Sequence, residues 1–583
     1  MKCNLFLPVA VFAGAVFAGP VALEDIREPV VVGVPPEYAA YSLCRTADGA
    51  LRHYGRQMRN GKVTRVYIES RDDGLTWKTF AADAKDVGSL QKCPWNDLWV
   101  GFVSAETNPL TFARSKTGPG DTNAERIVLP QRDYACTRLI PLVSRRRWLA
   151  TFVELTCKRD GGYGAAYAYS DDDGRTWTFR DLPPVKDVRR RNPGSARDHW
   201  FSSGCEPAVI EKRDGSIVMC LRTSGPYASF LRSTDGGATW GEPWQDPRFW
   251  QANTRPEFLR LGDGRLLFVW NNTQLLPEID PKLTPWGERG VAAFTNRDAL
   301  HAAISDDDGR TWKGFREIAL SEWRNATDWR ELGNDEAQEK DKSVHQTQML
   351  ELPGGKVLIA YGQNISTRRL AIFDPDWLLE TTRKDSFQHG LANVSHQLYV
   401  KSSCGGWRGW AGHCAWNRMP GAAMVQNPDS PPSPRGDVLQ LGRLRDPRLV
   451  SDRAGLVWNF PAARRGRVGV NARVVGEGFR MTLTDHWINP CDEVNPGLSP
   501  VSVPFTAKEL PTAKPVQPLK DWHDVVAEWD CERGTVRLLI DGKPFREEKL
   551  AWVPEAGLSY LHLQTLAEGS DPDGTQFRVF WKE

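Results

Sequence analysis

The stretch that decides the fold runs from Gly204 to Trp240 and reads GCEPAVIEKRDGSIVMCLRTSGPYASFLRSTDGGATW. Its apolar and β-branched residues predict three strands, at Cys205–Glu211, Ser216–Arg222 and Tyr227–Ser233. Asp214-Gly215, between the first two strands, is a dipeptide typical of a tight hairpin turn. The final eight residues predict a further turn that completes the unit.

That final octapeptide recurs along the chain with the template S-x-D-x-G-x-T-W. It begins at Ser70 (SRDDGLTW), Ser170 (SDDDGRTW), Ser233 (STDGGATW) and Ser305 (SDDDGRTW). We interpret each copy as a structural turn: the Asp carboxylate accepts hydrogen bonds from backbone N–H groups, and the Gly adopts a positive φ. A calcium loop is excluded because the 12-residue ligand spacing and its closing Glu are absent from the sequence.

Repeats of this size, each made of several short strands, predict a β-propeller. The interval between the first two copies has room for an extra unit, with a degraded copy at Phe112–Gly118, and a sixth unit surrounds Lys356–Tyr361. The chain is therefore predicted to be all-β, with a six-bladed propeller over residues 19–383. Short strands without the repeat follow over residues 384–583 and predict a C-terminal β-sandwich. The strands expected there are Gly455–Phe460, Arg467–Val475, Phe479–Thr484, His523–Asp530 and Val536–Ile540.

Composition narrows the class of protein. The 583-residue chain has a net charge of +2 and no basic stripe, which argues against a nucleic-acid partner. Residues 1–18 predict a signal peptide cut after Ala18, and no later run predicts a transmembrane segment, so a secreted or periplasmic protein is expected. Ten cysteines remain after the leader, and Cys404 with Cys414 is the favoured local pair. No motif predicts a metal or an organic cofactor, and the oligomeric state is left open.

Equivalent residues of successive blades ring one mouth of a propeller, so the hairpin glycines serve as reference points. Nine residues before them stand Ala40, Glu206, Arg255 and Gln346, and Arg138 falls one place away if Arg146 takes the place of a glycine. Seven residues after them stand Arg56, Arg222, Asn271 and Gly362. Several arginines converging on one funnel either pair with carboxylates such as that of Glu206 or bind an anionic ligand, for which the guanidinium fork is well suited.

Three further candidates lie near this ring. Arg297 precedes the repeat that begins at Ser305, and a solvated loop arginine is the alternative interpretation. Asp198-His199 lie on a long loop before the fourth unit. His345 adjoins Gln346 and is interpreted either as a structural histidine or as a general acid or base.

These residues resemble a family. The four octapeptides are similar to the Asp-boxes (BNR repeats) of sialidases (neuraminidases), six-bladed propellers that cleave terminal sialic acids. The run from Glu206-Pro207 to Leu221-Arg222 resembles the sialidase segment with a catalytic Glu and one arginine of a substrate-binding triad. The resemblance implies that Glu206 assists the nucleophile, that Arg222 grips the sugar carboxylate, and that Arg56 is a further active-site arginine.

The chain also departs from the sialidase pattern. The Phe/Tyr-Arg-Ile-Pro motif of the first blade is replaced by Ala40-Tyr41-Ser42-Leu43, and His345-Gln346 stand where the nucleophilic tyrosine is expected. The acid/base Asp has no counterpart that we can place. The C-terminal region resembles concanavalin-like sandwiches through Trp522-His523, Glu528-Trp529-Asp530 and Asp541-Gly542-Lys543, with Thr484–Trp487 as an expected sugar contact or core segment.

The leading hypothesis is an exported exo-glycosidase of sialidase type that acts on terminal acidic sugars of glycans, with sialic acid as the first guess. Glu206 and His345 are the candidate catalytic residues. The candidate substrate-binding residues are Arg56, Arg138, Arg222, Arg255 and Arg297. Two alternatives stay open: another propeller hydrolase or a lyase acting on uronate or sulfated glycans, with His345 and Tyr361 as base and acid, and a non-catalytic glycan-binding protein.

Overall fold

The structure is a computed structural model. It describes residues 21–37, 42–59, 62–103, 108–156, 164–186, 204–223, 225–273, 297–327, 342–362, 367–399, 418–427, 429, 431–434, 436–449, 451–491, 493, 499–506 and 522–583. Residues 1–18, predicted to be a signal peptide, and Cys404 and Cys414, predicted to pair, lie outside these ranges. Seven cysteines lie inside them, and all are buried: Cys44, Cys93, Cys136, Cys205, Cys220, Cys491 and Cys531.

The all-β prediction is confirmed: the described residues form strands joined by turns, with three short 3-10 helices, at Leu23–Asp25, Pro353–Gly355 and Pro375–Leu379. Strand β1 is Val30–Gly33. The first sheet then contains β2 (Leu43–Arg45), β3 (Leu51–Arg59), β4 (Lys62–Ser70) and β5 (Lys78–Ala81). The second contains β6 (Gln91–Lys92), β7 (Trp99–Phe102), β8 (Thr111–Ser115) and β9 (Glu125–Val128). The third contains β10 (Tyr134–Leu142), β11 (Arg147–Glu154), β12 (Ala165–Ser170) and β13 (Thr178–Asp181).

Three more four-stranded antiparallel sheets follow the same order. The fourth contains β14 (Cys205–Glu211), β15 (Ile217–Arg222), β16 (Tyr227–Ser233) and β17 (Trp244–Trp250). The fifth contains β18 (Glu257–Arg260), β19 (Leu266–Trp270), β20 (Ala299–Ser305) and β21 (Lys313–Leu320). The sixth contains β22 (Gln348–Glu351), β23 (Val357–Tyr361) and β24 (Arg369–Phe373), and β1 supplies its fourth strand by pairing with β24. The two ends of this region are therefore joined in one sheet.

The repeated octapeptide forms the turn that the sequence predicts. In the first copy, Thr76 donates to the Asp72 carboxylate from its backbone N–H at 2.9 Å and from its hydroxyl at 2.5 Å. The Ser70 hydroxyl accepts the backbone N–H of Gly74 at 2.8 Å, and Gly74 has a φ of 91°. The degraded copy keeps the same function for its serine, because Ser115 accepts the backbone N–H groups of Thr117 and Gly118. The repeats are structural.

Consecutive sheets share hydrophobic cores. Five pairs of neighbouring sheets each share a buried cluster of their own: the second with the third, the third with the fourth, the fourth with the fifth, the fifth with the sixth, and the sixth with the first. The third and fourth sheets, for example, bury Leu149 and Met219 together, and the sixth and first bury Leu370 and Leu51 together. Burial of apolar surface at about 25 cal/mol per Å² is the main stabilising contribution at such contacts.

The C-terminal region forms two larger sheets. One contains β25 (Arg383–Asp385), β28 (Ala422–Val425), β29 (Val438–Arg443), β31 (Arg465–Val474), β34 (His523–Asp530), β35 (Thr535–Ile540), β36 (Lys543–Lys549) and β38 (Asp571–Lys582). The other contains β30 (Gly455–Ala463), β32 (Gly478–Thr484), β33 (Val501–Thr506) and β37 (Leu558–Thr565). A separate pair is formed by β26 (Gln397–Tyr399) and β27 (Arg418–Pro420). Side chains from both large sheets, such as Val470 and Leu561, share one core.

The C-terminal region packs on the fifth sheet through buried polar groups. The Tyr560 hydroxyl donates to Glu317 at 2.7 Å and lies 2.5 Å from Nε2 of His301. The segment considered above as a sugar contact lies in this interface: Trp487 is buried, and the His486 ring lies 4.0 Å from that of Trp250. That segment is therefore packing, because its rings are already covered by protein. Within the described part of the chain, no helix is long and apolar enough to cross a membrane.

Candidate functional site

The hairpin turns place the predicted ring of residues. Gly49, Gly215, Gly264 and Gly355 have φ values of 88°, 78°, 90° and 76°. Arg146 occupies the equivalent turn of the third sheet with a φ of 53°, as the sequence interpretation requires. Each turn fixes how the first strand of its sheet pairs with the second. Residues at the same distance before each turn therefore lie at the same end of their sheets.

Glu206 lies at the start of β14, where a β-bulge between Cys205 and Ala208 interrupts the ladder. Arg222, at the end of β15, donates a hydrogen bond to its carboxylate. Gln346, which precedes β22, donates from Nε2 to Glu206 Oε1 at 3.3 Å. Burial by itself raises the pKa of Glu206, but the charges of Arg222 and Arg255 and the hydrogen bonds from Arg222 and Gln346 together lower it below its ordinary value. Glu206 is therefore an ionised carboxylate at neutral pH.

Arg255 connects the neighbouring sheets. Its guanidinium donates to the carbonyl of Thr137 at 2.7 Å and to that of Thr347 at 3.2 Å, and it also lies 3.1 Å from the Glu257 carboxylate. Glu257 in turn forms an ion pair with Arg138 at 3.2 Å. The third, fifth and sixth sheets are therefore joined by one buried carboxylate and two guanidinium groups.

Arg297 lies next to His345 and is fully buried, as is that histidine. Its guanidinium donates to the carbonyl of Asn253 at 2.8 Å and lies 3.4 Å from His345 Nε2. Asn253 also accepts from Nε of Arg222 through its side-chain oxygen at 3.1 Å. Asn253 therefore links Arg297 to the Arg222–Glu206 pair.

The backbone of this cluster adopts conformations that L-residues rarely occupy. Glu206, Asn253 and Gln346 have φ values of 41°, 52° and 61°. Such conformations cost of order 1–3 kcal/mol each and concentrate at functional sites. The side chains of Glu206 and Gln346 contact each other, and that of Asn253 contacts Arg222, which also binds Glu206.

Solvent reaches only part of the cluster. The Glu206 side chain is 13% exposed and that of Arg138 is 22% exposed, whereas Arg255 is 1% exposed. Arg222, Arg297 and His345 are buried. The side chains of Glu206 and Arg138 are therefore the more exposed members of this cluster.

Other candidates lie apart from this group or outside the described ranges. Arg56 is exposed on β3, opposite Arg65, and within the described residues it makes no hydrogen bond or ion pair with the cluster. Asp198-His199 and Ala40-Tyr41 lie outside the described residues. Tyr361 is buried on β23, and burial raises its pKa above the ordinary value. The roles of these residues stay predictions.

Sequence reasoning missed Glu257 and Asn253. Both stand two residues from Arg255 in the sequence. A polar residue on each side of a candidate arginine was the signal that could have found them. Among the described residues, no group of three or more His, Cys, Asp or Glu side chains is arranged to hold a metal ion.

Comparison with known proteins agrees with the repeats. Residues 129–322 match the model of the BNR repeat-like domain family. This region contains the octapeptides that begin at Ser170, Ser233 and Ser305 and the strand that carries Glu206. Residues 129–322 therefore contain a BNR repeat-like domain, which agrees with the interpretation of the octapeptides as Asp-box repeats.

Similar solved structures include sialidases. A Trypanosoma rangeli sialidase in complex with sialic acid is 12% identical, with 97% of this chain and 95% of that chain covered and a TM-score of 0.36. The NanB sialidase from Streptococcus pneumoniae is 12% identical, with 60% and 71% covered and a TM-score of 0.39. A Dyadobacter fermentans protein of unknown function is 17% identical, with 60% and 97% covered and a TM-score of 0.36. Because these TM-scores are below 0.5, no residue role is transferred from those structures.

A curated relative is a xyloglucanase of Hypocrea jecorina (strain QM6a), 26% identical over 175 residues. The match covers 30% of this chain and 18% of that protein. The chain therefore spans less than a fifth of the length of the curated relative it matches.

Proposed function

We propose that this protein is an exported exo-glycosidase of sialidase type that releases terminal acidic sugars from glycans, with sialic acid as the first sugar to test. The observation that carries the proposal is the contact of an ionised, partly accessible Glu206 with Arg222 and Gln346. Arg255 lowers the pKa of Glu206 through its charge and shares the Glu257 carboxylate with the partly exposed Arg138. Guanidinium groups suit a substrate that carries its own carboxylate, because they bind such groups through two parallel hydrogen bonds.

The proposed architecture follows the six four-stranded sheets. We propose that they are the blades of one propeller over residues 19–383, joined at its ends by the pairing of β1 with β24. The two large C-terminal sheets with their common core would form the sandwich over residues 384–583. Export rests on the leader-like residues 1–18 and is tested by sequencing the N-terminus of the protein recovered outside the cytoplasm, which should begin at Gly19.

Each residue of the cluster has a proposed role. Arg138 binds the anionic group of the sugar, and Arg222, Arg255 and Arg297 form the positive layer behind it. Glu206 accepts the proton of the attacking group, since a carboxylate with a lowered pKa is a base rather than an acid near neutral pH. His345 has no exposed surface and contacts Arg297, which supports a positioning role rather than the role of a nucleophile.

The test measures release of free sugar from a panel of sialylated, uronate-capped and sulfated glycans. Wild type is compared with Glu206→Gln, which keeps the shape of the side chain and removes its charge. The matched control is Glu69→Gln, because Glu69 is also a shielded carboxylate paired with an arginine, Arg52 at 2.8 Å, but lies on β4. We expect an acidic sugar to be released by wild type and by the control, and at least 100-fold more slowly by Glu206→Gln.

Other outcomes would overturn the proposal in different ways. If Glu206→Gln releases the sugar as fast as wild type does, Glu206 is not a catalytic residue. An unsaturated sugar product would identify a lyase. Binding of acidic glycans with no release from any of them would identify a non-catalytic glycan-binding protein.

A further inference from the structure

A cavity lies between the third and fourth sheets, and the residues of the Glu206 cluster do not line it. It has a volume of about 490 Å³, and its walls come from β12, from the segment Arg180–Pro183 at the end of β13, and from the octapeptide turn at Ala238–Trp240. Cavities of this size hold small organic ligands in other proteins. No residue of this cavity belongs to the proposed catalytic cluster.

Aromatic rings form much of the wall. Tyr167 and Tyr169 stand two residues apart on β12, so they share one face of the third sheet. Trp240 approaches from the fourth sheet, with its ring edge-on to Tyr167 at a centroid distance of 5.9 Å. The guanidinium of Arg147 lies 4.2 Å from the Tyr169 ring centre and is fixed by Asp171 at 2.6 Å. The rings are therefore held in place before any ligand arrives.

Trp240 differs from the other tryptophans of the repeat. Trp77, Trp177 and Trp312 each donate an indole N–H to the carbonyl of the glycine in their own turn, at 2.8, 3.0 and 3.2 Å. The indole N–H of Trp240 has no hydrogen-bond partner among the described residues. Instead, the Tyr167 hydroxyl donates to the carbonyl of Ala238 at 3.0 Å. In this repeat, the indole does not bind the carbonyl of the turn glycine, and Trp240 lines the cavity.

Polar groups stand at the edge of the same cavity. Arg180 is exposed and is paired across the ladder with Tyr167. Asp181 follows it and accepts a hydrogen bond from the Tyr134 hydroxyl at 2.9 Å. A guanidinium fork and a carboxylate are well suited to bind pairs of neighbouring hydroxyl groups.

We propose that this cavity is an accessory site that binds a neutral pyranose unit of a glycan chain. One face of a pyranose carries C–H groups that pack on aromatic rings, whose faces are electron-rich, while its hydroxyl groups bind planar polar side chains at the edge. The choice of a sugar as ligand rests on the proposed function, but the site is separate from Glu206. Such a site holds the body of a glycan while its terminal sugar is processed elsewhere.

The test measures binding of three neutral hexasaccharides to the full protein by isothermal titration calorimetry. One consists of β-linked glucose, one of β-linked galactose and one of β-linked mannose. Tyr169→Ala removes a wall ring, and Arg180→Ala removes an exposed group with little risk to folding. The matched control is Arg175→Ala, an exposed arginine near the same strand that does not line the cavity. We expect at least one hexasaccharide to bind, with its dissociation constant raised at least fivefold in one or both cavity variants and changed less than twofold in the control.

Failure of this inference is distinguishable from failure of the proposed function. Glu206→Gln should bind the neutral hexasaccharide as wild type does, whether or not it releases acidic sugars. Absence of binding to all three hexasaccharides in wild type would overturn the accessory site. So would a dissociation constant that stays the same in both Tyr169→Ala and Arg180→Ala.

Discussion

The side-chain amide of Gln346 lies 3.3 Å from the carboxylate of Glu206, although 140 residues separate them in the chain. Both residues stand nine positions before a hairpin glycine, Gly355 and Gly215. Their contact shows that equivalent positions of the fourth and sixth sheets meet at one end. Arg255, at the same position in the fifth sheet, touches the backbone of Thr347 and completes the group.

Glu257→Gln tests how the buried arginines are compensated. The carboxylate is buried between Arg255 and Arg138, so its neutralisation leaves two guanidinium groups without this counter-charge. We expect the free energy of unfolding to fall by about 3–5 kcal/mol in urea denaturation, since breaking a buried ion pair costs this much. Glu125→Gln is the control: its carboxylate is largely exposed and pairs with Arg114, so the loss should stay within about 1 kcal/mol. Equal losses in the two variants would contradict the described burial.

The lowered pKa of Glu206 predicts a specific dependence on pH. A carboxyl group whose pKa is lower in the folded state stabilises that state fully above its unfolded pKa, and this contribution is lost as the pH falls through the folded pKa. The difference in unfolding free energy between wild type and Glu206→Gln should therefore be constant from about pH 6 to 8 and should shrink below the ordinary value of 4.5. Denaturant titrations from pH 3 to pH 8 measure it. A difference that grows as the pH falls would show that the pKa is raised instead.

Asp307→Ala tests the structural role of the repeated turn. The Asp307 carboxylate accepts hydrogen bonds from Thr311 and Ser305, and although burial opposes its ionisation, these bonds lower its pKa to about 2. Loss of these bonds should reduce the unfolding free energy by about 1–3 kcal/mol and leave the activity of the folded protein unchanged. Asp306→Asn, which removes only an exposed pair with Lys313, should cost less than about 1 kcal/mol. A loss of activity at full stability would mean that the turn has a functional role after all.

Tyr560→Phe tests the junction between the fifth sheet and the C-terminal region. The variant removes the hydroxyl that contacts Glu317 and His301, and buried polar groups left without a partner cost about 1–3 kcal/mol. We expect a lower melting temperature and faster proteolysis of the C-terminal region. Tyr134→Phe, whose hydroxyl lies at an exposed edge, provides the comparison and should change neither quantity. If the two variants behave alike, the junction does not depend on this buried contact.

Much of the fold was predictable because its signals are local. The hairpin at Asp214-Gly215 and the strands on either side of it depend on residues adjacent in sequence, and the structure begins β14 and β16 at the predicted residues Cys205 and Tyr227. The count in the third sheet assumed that Arg146 takes the place of a glycine, and the structure gives Arg146 a φ of 53°.

The cluster was predictable only in part because its contacts depend on distant residues. Counting from the turns identified Glu206 and Arg255, but it could not show that Glu257 compensates the charge of Arg255. The same rule also selected Arg56, which is exposed on β3 and whose role stays a prediction. The cavity at Trp240 was also missed, because the sequence of its octapeptide matches the other three. Only the structure shows that its indole N–H has no hydrogen-bond partner among the described residues.

The measurement that tests the central claim most directly is binding of free acidic monosaccharides, beginning with sialic acid, by isothermal titration calorimetry. Arg138→Met keeps most of the side-chain volume at the accessible edge of the cluster and removes the guanidinium. Arg248→Met is the control, because Arg248 is an equally shielded arginine paired with Asp246 on β17. Our account predicts that an acidic sugar binds wild type and the control, and that Arg138→Met raises its dissociation constant at least tenfold. If no acidic sugar binds wild type, or if Arg138→Met binds it as tightly, the cluster is a structural ion-pair network and not a sugar site.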